Sequence, residues 1–372
     1  MRLLKFDTIH PYTYINKKKQ EWGESINSIS RLEYLGKLIK LRSNYSDFYT
    51  HNLNLYGWTS EEFIVNDNAY LDSVAKELWG SEIPLLKISE NLKDKIRPIK
   101  DRWNKKIIRA YIKQFKPDII FVRESSGISS AEWKDMANGA KLVNRIACPL
   151  PKGWEIIYWD LIYTSTLEFK NFFELMNKKT IINPNGFDER ILSEIITREK
   201  SIDLSFVGGL SNEGFKVRTE LFESVSEKLD FKWWGYLRGE QLKPTSKLYN
   251  NWQGETSGLE MFQIYKDSKI VLNDYIDIAN GSAVNQRIFE VLGIGSLLLT
   301  RYSPNLEKEF PKDLFVMFKD SANCIDMCNY YLKNEKEREE IAKNGQNFVL
   351  SNFNYKHLVK QVGKELEELI KP

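Results

Sequence analysis

From residue 200 onward, short apolar runs alternate with amphipathic stretches, and no other feature limits the fold of this chain as strongly. Strand-like runs stand at 204–207, 231–234, 270–272, 296–300 and 314–318, with helical patterns at 215–229, 259–267, 283–293 and 303–309. A strand, a helix of about ten residues and another strand make a parallel β-α-β unit with both sheet faces covered. After 320 the pattern is helical, over 320–333, 335–350 and 355–371. The first half repeats the theme less tidily, with strands at 2–6, 118–122, 141–144, 161–164 and 180–182 and long helical patterns at 25–42 and 92–116. Between the halves stands Asn183-Pro184-Asn185-Gly186-Phe187-Asp188, dense in turn formers. The expectation is an α/β chain of two Rossmann-like lobes, 1–184 and 185–352, with the last helix, 353–372, packing back on the first lobe. Open α/β sheets bind ligands outside the carboxyl ends of their strands, so a cleft between two facing lobes is the expected site.

A length of 372 residues is enough for two cores, and 42% apolar with 28% charged residues is a globular balance. A net charge of +3 gives no general attraction to polyanions, so nucleic acid is not an expected partner. The local basic clusters at 17–19 and 93–116 read either as solvated faces or as a peripheral contact with anionic lipid head groups. The first residues are too charged for a signal peptide, and no apolar run nears the roughly 18 residues of a membrane span. Cys148 and Cys324 lie far apart without a Cys-x-x-Cys pair, and His10, His51 and His357 show no metal-ligand spacing. The expected compartment is the cytoplasm, with contact at the inner face of the membrane left open. Neither metal nor cofactor is expected.

Three groups of residues carry candidate chemistry. In Phe206-Val207-Gly208-Gly209-Leu210-Ser211 a strand runs into a glycine pair and then a helix. Gly208 and Gly209 would let backbone N–H groups approach a phosphate, with Lys216 and Arg218 one turn into the helix to bind a diphosphate. A plain strand-to-helix turn accounts for the same glycines equally well. The second group runs from Asn280 to Gly295: Ser282 as N-cap, Val284, Ile288, Val291 and Leu292 on one face, and Arg287 and Glu290 beside it. Read alone, Arg287 and Glu290 are as well explained by a surface pair worth a few tenths of a kcal/mol. The third is Trp233-Trp234-Gly235-Tyr236, where Tyr236 would stack on a nucleobase and one tryptophan belongs to the core.

Together these residues resemble group-1 glycosyltransferases of the GT-B fold, and most closely the branch typified by the CgeB spore-maturation proteins. The resemblance rests on Tyr265, Ser268, Lys269, Ile270, Leu272 and Asn273, then Ser282, Arg287, Phe289, Glu290, Gly293 and Gly295, and covers 200–350 well. It implies a nucleoside-diphosphate sugar as donor, held by the second lobe, with Glu290 on the ribose hydroxyls. The donor set it implies is Gly208, Gly209, Lys216, Arg218, Tyr236, Asn273, Ser282, Asn285, Arg287 and Glu290. The wider family carries a second glutamate eight residues before the first, where this chain has Ser282.

Inverting transfer needs a base near the acceptor hydroxyl. His10 follows the first strand and Glu124 follows the run at 118–122, both at carboxyl ends. The leading expectation is therefore a metal-independent glycosyltransferase acting on a cell-surface glycan or its lipid-linked precursor. The competing readings are another nucleotide-sugar reaction such as epimerisation, transfer to protein or a DNA base, and a non-catalytic coat or assembly protein.

Overall fold

The computed structural model describes residues 1–371 apart from 24, 25, 27, 97–100, 124–126, 147–149, 212–214, 238–241 and 276–283. The chain forms two compact units, one of Met1–Pro184 with Val359–Pro372 and one of Asn185–Leu358.

The strands of the first unit are β1 (Arg2–Asp7), β2 (Thr59–Ile64), β3 (Ile119–Val122), β4 (Lys141–Arg145), β5 (Leu161–Thr164) and β6 (Thr180–Ile182). All pair in parallel, in the order β2-β1-β3-β4-β5-β6. The connecting helices are α1 (Tyr12–Trp22), α2 (Arg31–Lys40), α3 (Thr50–Leu55), α4 (Asn68–Trp79), α5 (Ile83–Ile96), α6 (Arg102–Phe115), α7 (Ser130–Met136) and α8 (Leu167–Leu175). The chain leaves β1 on one side for β2 and reaches β3 on the other, so the strand order reverses between β1 and β3.

Two expectations change here. The helix expected over 92–116 is two helices, α5 and α6, with Pro98 between them. Proline has no N–H and drives the residue before it away from helical backbone, which ends a helix. The helix expected over 25–42 starts only at Arg31, behind a capping box in which Ser30 and Glu33 bond each other's backbone N–H.

Strand β2 was not anticipated, because Thr59-Ser60-Glu61-Glu62 has no apolar run. Glu62 lies opposite Lys5 in register and bonds it at 2.7 Å, while Thr50 Oγ1 donates to Glu62 at 2.9 Å and Lys5 also reaches Asp7 at 2.8 Å. All three charged groups are buried. Burial alone would lower the Lys5 ammonium, but the two carboxylates outweigh it and raise it, whereas burial pushes Glu62 up to about 7. Buried charges persist only when paired in this way.

The second unit contains β7 (Ile202–Val207), β8 (Phe231–Trp234), β9 (Ser268–Asn273), β10 (Leu297–Arg301) and β11 (Val316–Phe318). Its helices are α9 (Lys216–Lys228), α10 (Lys247–Asn250), α11 (Gly258–Asp267), α12 (Gln286–Ile294), α13 (Pro304–Glu309), α14 (Ser321–Lys333) and α15 (Glu335–Asn352). The last helix, α16 (Tyr355–Ile370), starts here and continues into the first unit. The sheet order is β11-β10-β9-β7-β8, so this order reverses between β7 and β9. Each strand overlaps a strand-like run of the sequence, and β9 and β10, buried on both faces, are nearly continuous apolar runs without polar alternation. Cys324 and Cys328 sit one turn apart on α14, both buried and neither in a disulfide.

Helix α12 begins at Gln286 behind Asn285 rather than near 283, and Ser282 lies outside the described residues. Ile288, Val291 and Leu292 are fully buried, as the periodicity requires, but Val284, expected on the same face, precedes the helix and is half-buried. Gly293 lies inside the helix, where a Cβ would come within 2.2 Å of the Phe187 ring. Gly295 ends it with φ +78, the left-handed cap that costs any L side chain about 1–2 kcal/mol. Gly295→Ala is expected to lower the urea-unfolding free energy by about that amount, and an unchanged midpoint would show that the cap does not form.

Candidate functional site

The reversal between β7 and β9 opens a crevice beyond Val207 and Asn273, the place where open α/β sheets hold ligands. A cavity of about 400 Å³ lies there, walled by Gly208, Gly209, Arg218, Tyr236, Asn285, Arg287 and Glu290, with Phe215, Met261, Tyr265 and Tyr275. Seven of the ten expected donor residues thus meet at one cavity.

Its floor is two touching loops. Gly235 has φ +141, and a Cβ there would lie 2.0 Å from the Gly208 carbonyl oxygen. A Cβ on Gly209 would fall 2.3 Å from the Tyr236 ring, and one on Gly208 2.6 Å from an Arg287 nitrogen. The Gly208 N–H already donates to the Trp234 carbonyl at 2.8 Å. The glycine pair therefore admits Tyr236 and Arg287, and the Gly208 N–H is not offered to a phosphate. Trp233 is the tryptophan in the core, and its indole N–H donates to Leu248 O at 2.8 Å.

Arg218 is buried and ties the loop after β7 to the loop after β9, donating to Gly209 O at 3.0 Å and to Asp274 O at 2.9 Å. Its guanidinium lies 4.4 Å from the Phe215 ring centre. Asp274 is fixed in turn by a two-pronged ion pair with Arg301, both bonds 2.7 Å. Lys216 behaves differently. It is exposed, lies 3.9 Å from Glu220 on its own helix, and does not wall the cavity.

Asn273 also stays out of the cavity wall. Fully buried, it donates to Thr300 Oγ1 at 2.9 Å and accepts from Asn285 at 2.9 Å and from Arg287 at 2.6 Å. It is a positioning residue that aims two wall residues. Asn285 walls the cavity, while its Oδ1 is itself buried and has no hydrogen-bond partner among the described residues.

Arg287 does not form the surface pair with Glu290. Two more of its five N–H groups donate to Val207 O at 3.0 and 2.6 Å, and it meets no carboxylate among the described residues. A carbonyl accepts a bond without cancelling charge, so the guanidinium keeps its positive field toward the cavity. Glu290 is half-buried on the same wall. Both act on the Tyr265 hydroxyl, which burial raises, Arg287 lowers and Glu290 raises again. Sequence reasoning quoted Tyr265 as a motif residue without assigning it to the site, and Phe215, Met261 and Tyr275 gave no signal at all.

In the first unit His10 is exposed in the loop beyond β1, at the reversal between β1 and β3. Its ring meets Tyr12 edge-on with centres 5.7 Å apart. Glu124 lies outside the described residues. No cluster of three or more His, Cys, Asp or Glu suited to a metal occurs among the described residues, and no helix there is long and apolar enough to cross a membrane.

Residues 218–363 match a family model described as glycosyl transferase-like. No curated protein matches the chain. Among solved structures, a glycosyltransferase from Rickettsia africae aligns over 100% of this chain and 98% of its own, with 12% identity and a TM-score of 0.55. Anabaena HepE in complex with UDP and glucose aligns over 99% and 100%, with 10% identity and a TM-score of 0.57. The E. coli trehalose-6-phosphate protein bound with UDP-2-fluoro glucose aligns over 100% and 99%, again with 10% identity and 0.57. The fold is GT-B, and the segment that matches the glycosyl transferase-like model includes Arg218, Tyr236, Asn285, Arg287 and Glu290 of the cavity wall.

Proposed function

We propose that this GT-B chain transfers a sugar from a nucleoside-diphosphate sugar, held in the β7–β9 cavity, to a cell-surface glycan or lipid-linked acceptor without a metal ion. One observation carries the reading: Arg287, unmatched by any carboxylate among the described residues, and Glu290 share a wall of that cavity. The guanidinium suits a diphosphate, whose growing charge it would stabilise as the sugar departs. The carboxylate suits a ribose diol, because it accepts two bonds and donates none. The UDP and UDP-sugar in HepE and the E. coli protein support a uridine nucleotide as the first donor to try. The run from Tyr265 to Glu290 supports the CgeB-like branch.

In this scheme a base on the first unit removes the acceptor proton as the hydroxyl oxygen attacks the anomeric carbon. The bond from that carbon to the diphosphate breaks, and Arg287 holds the leaving group. The test is thermal unfolding in EDTA against a panel of nucleotides and nucleotide sugars. A ligand at a hundred times its Kd stabilises by about 2.7 kcal/mol, so the preferred nucleotide is expected to raise Tm by several degrees in chelator, with sugar turnover retained. Turnover lost in EDTA and restored by magnesium or manganese would remove the metal-free scheme. No shift with any nucleotide would remove the donor assignment.

A further inference from the structure

We propose that the outer face of α5 docks this protein on an anionic lipid surface, an inference that does not rest on the sugar-transfer reading. Leu85, Ile88 and Leu92 are 72%, 57% and 56% exposed. Spaced i, i+3 and i+7, they form one stripe along the helix. A soluble helix normally turns such a stripe into the core, yet the one buried residue among the described side chains of α5 is the charged Glu90.

The charges explain the inversion. Helices α5 and α6 together carry eight Lys and Arg against two acids, although the whole chain carries only +3. Both acids are consumed inside the helix pair. Glu90 accepts from Lys93 and from Lys106, each at 2.9 Å, and Asp94 accepts from Arg102 at 2.5 Å. The outer face is left with the apolar stripe, exposed Lys93 and exposed Lys95, which has no ion-pair partner among the described residues. Acids of other elements pair with three more of these cations, Asp72 with Lys87, Glu132 with Lys105 and Asp135 with Arg109, while Lys113 on α6 is exposed as well. The other exposed apolar helix face contrasts with it. Leu167, Phe172 and Leu175 of α8 stand among Glu168, Glu174 and Lys170, where acids outnumber bases by one.

An apolar stripe with the ammonium groups of Lys93 and Lys95 beside it fits the boundary of a bilayer, with apolar side chains among the acyl chains and ammonium groups among the phosphates. A second copy of α5 would bring like charges together, so self-pairing is disfavoured.

The test is sedimentation of the whole chain with vesicles of phosphatidylglycerol and phosphatidylcholine, against phosphatidylcholine alone. Binding to the anionic vesicles is expected to be at least about tenfold stronger and to fall as salt rises. The triple variant Leu85→Ser, Ile88→Ser, Leu92→Ser should lose more than about tenfold of that binding. Its unfolding midpoint should not change, since all three positions are exposed. Lys95→Glu, which leaves the stripe intact, should weaken binding about fivefold or more. Equal binding to both vesicle types, or a triple variant that binds like its parent, would overturn the inference. So would a parent that ignores vesicles but sediments as a dimer which the triple variant dissolves, because the face would then be a contact between copies. The readout is lipid binding rather than turnover, so its failure leaves the donor site untouched.

Discussion

Replacing His10 by alanine is expected to slow sugar transfer by about two to four orders of magnitude while nucleotide affinity changes by less than about twofold. The expectation comes from position. His10 lies three residues beyond β1 and is exposed, at the point where the strand order of the first sheet reverses. Side chains there project from the carboxyl edge of the sheet, the edge at which α/β units meet their ligands. An imidazole can hold the proton that an attacking hydroxyl loses, near neutral pH and without a metal. Transfer rate and nucleotide affinity must be measured on the same variant, because a residue that merely supported the fold would change both. Glu124→Gln is the companion substitution. If neither variant loses about tenfold in rate, the base lies elsewhere or the reaction retains configuration at the sugar.

Glu290→Ala is expected to weaken binding of the preferred nucleotide by about one to two orders of magnitude, with the fold intact. A hydrogen bond to a charged group contributes roughly 1.5–3 kcal/mol, which is that range of affinity. Glu290 is held on α12, whose Ile288, Val291 and Leu292 are buried to 0% exposure, so little extra order is lost when ligand binds. The neighbouring cation is committed elsewhere, because Arg287 donates to Val207 and Asn273. An ordinary surface carboxylate would behave otherwise, with a stability change under about half a kcal/mol and unchanged affinity. Calorimetric titration of the folded variant decides between the two, and unchanged affinity would withdraw the ribose contact.

What the sequence revealed and what it hid follow from the same physics. Strands β9 and β10 were legible because strands covered on both faces are nearly continuous apolar runs, whereas β8 alternates buried and half-buried residues and showed through Phe231, Trp233 and Trp234. Strand β2 was hidden because its inward Ser60 and Glu62 are polar, satisfied by Asn54, Thr50 and Lys5, partners that no local pattern announces. The start of α2 could have been found, since Ser30-Arg31-Leu32-Glu33 is a capping-box sequence. At the site, Arg287 and Glu290 were legible from helix spacing and family resemblance. The use of the glycines was not. Gly208, Gly209 and Gly235 are required by one another and by Tyr236 and Arg287, a reciprocity that exists only once β7 and β8 lie side by side. Asn273 is the converse case, legible as a motif residue but serving to aim Asn285 and Arg287 from within the core.

The cysteine pair on α14 gives the second unit a chemical clock. Cys324 and Cys328 are both at 0% exposure, and the hydrogen bond between the Cys328 thiol and Cys324, together with burial, keeps that thiol well above its ordinary range. Only the thiolate reacts with alkylating reagents, so neither sulfur is labelled until this unit opens. With Cys148 changed to serine, the labelling rate becomes a direct count of opening events. A nucleotide seated in the β7–β9 cavity should divide that rate by the factor 1 + [L]/Kd when opening must empty the cavity first. Donor affinity could then be read from alkylation kinetics before any acceptor is known.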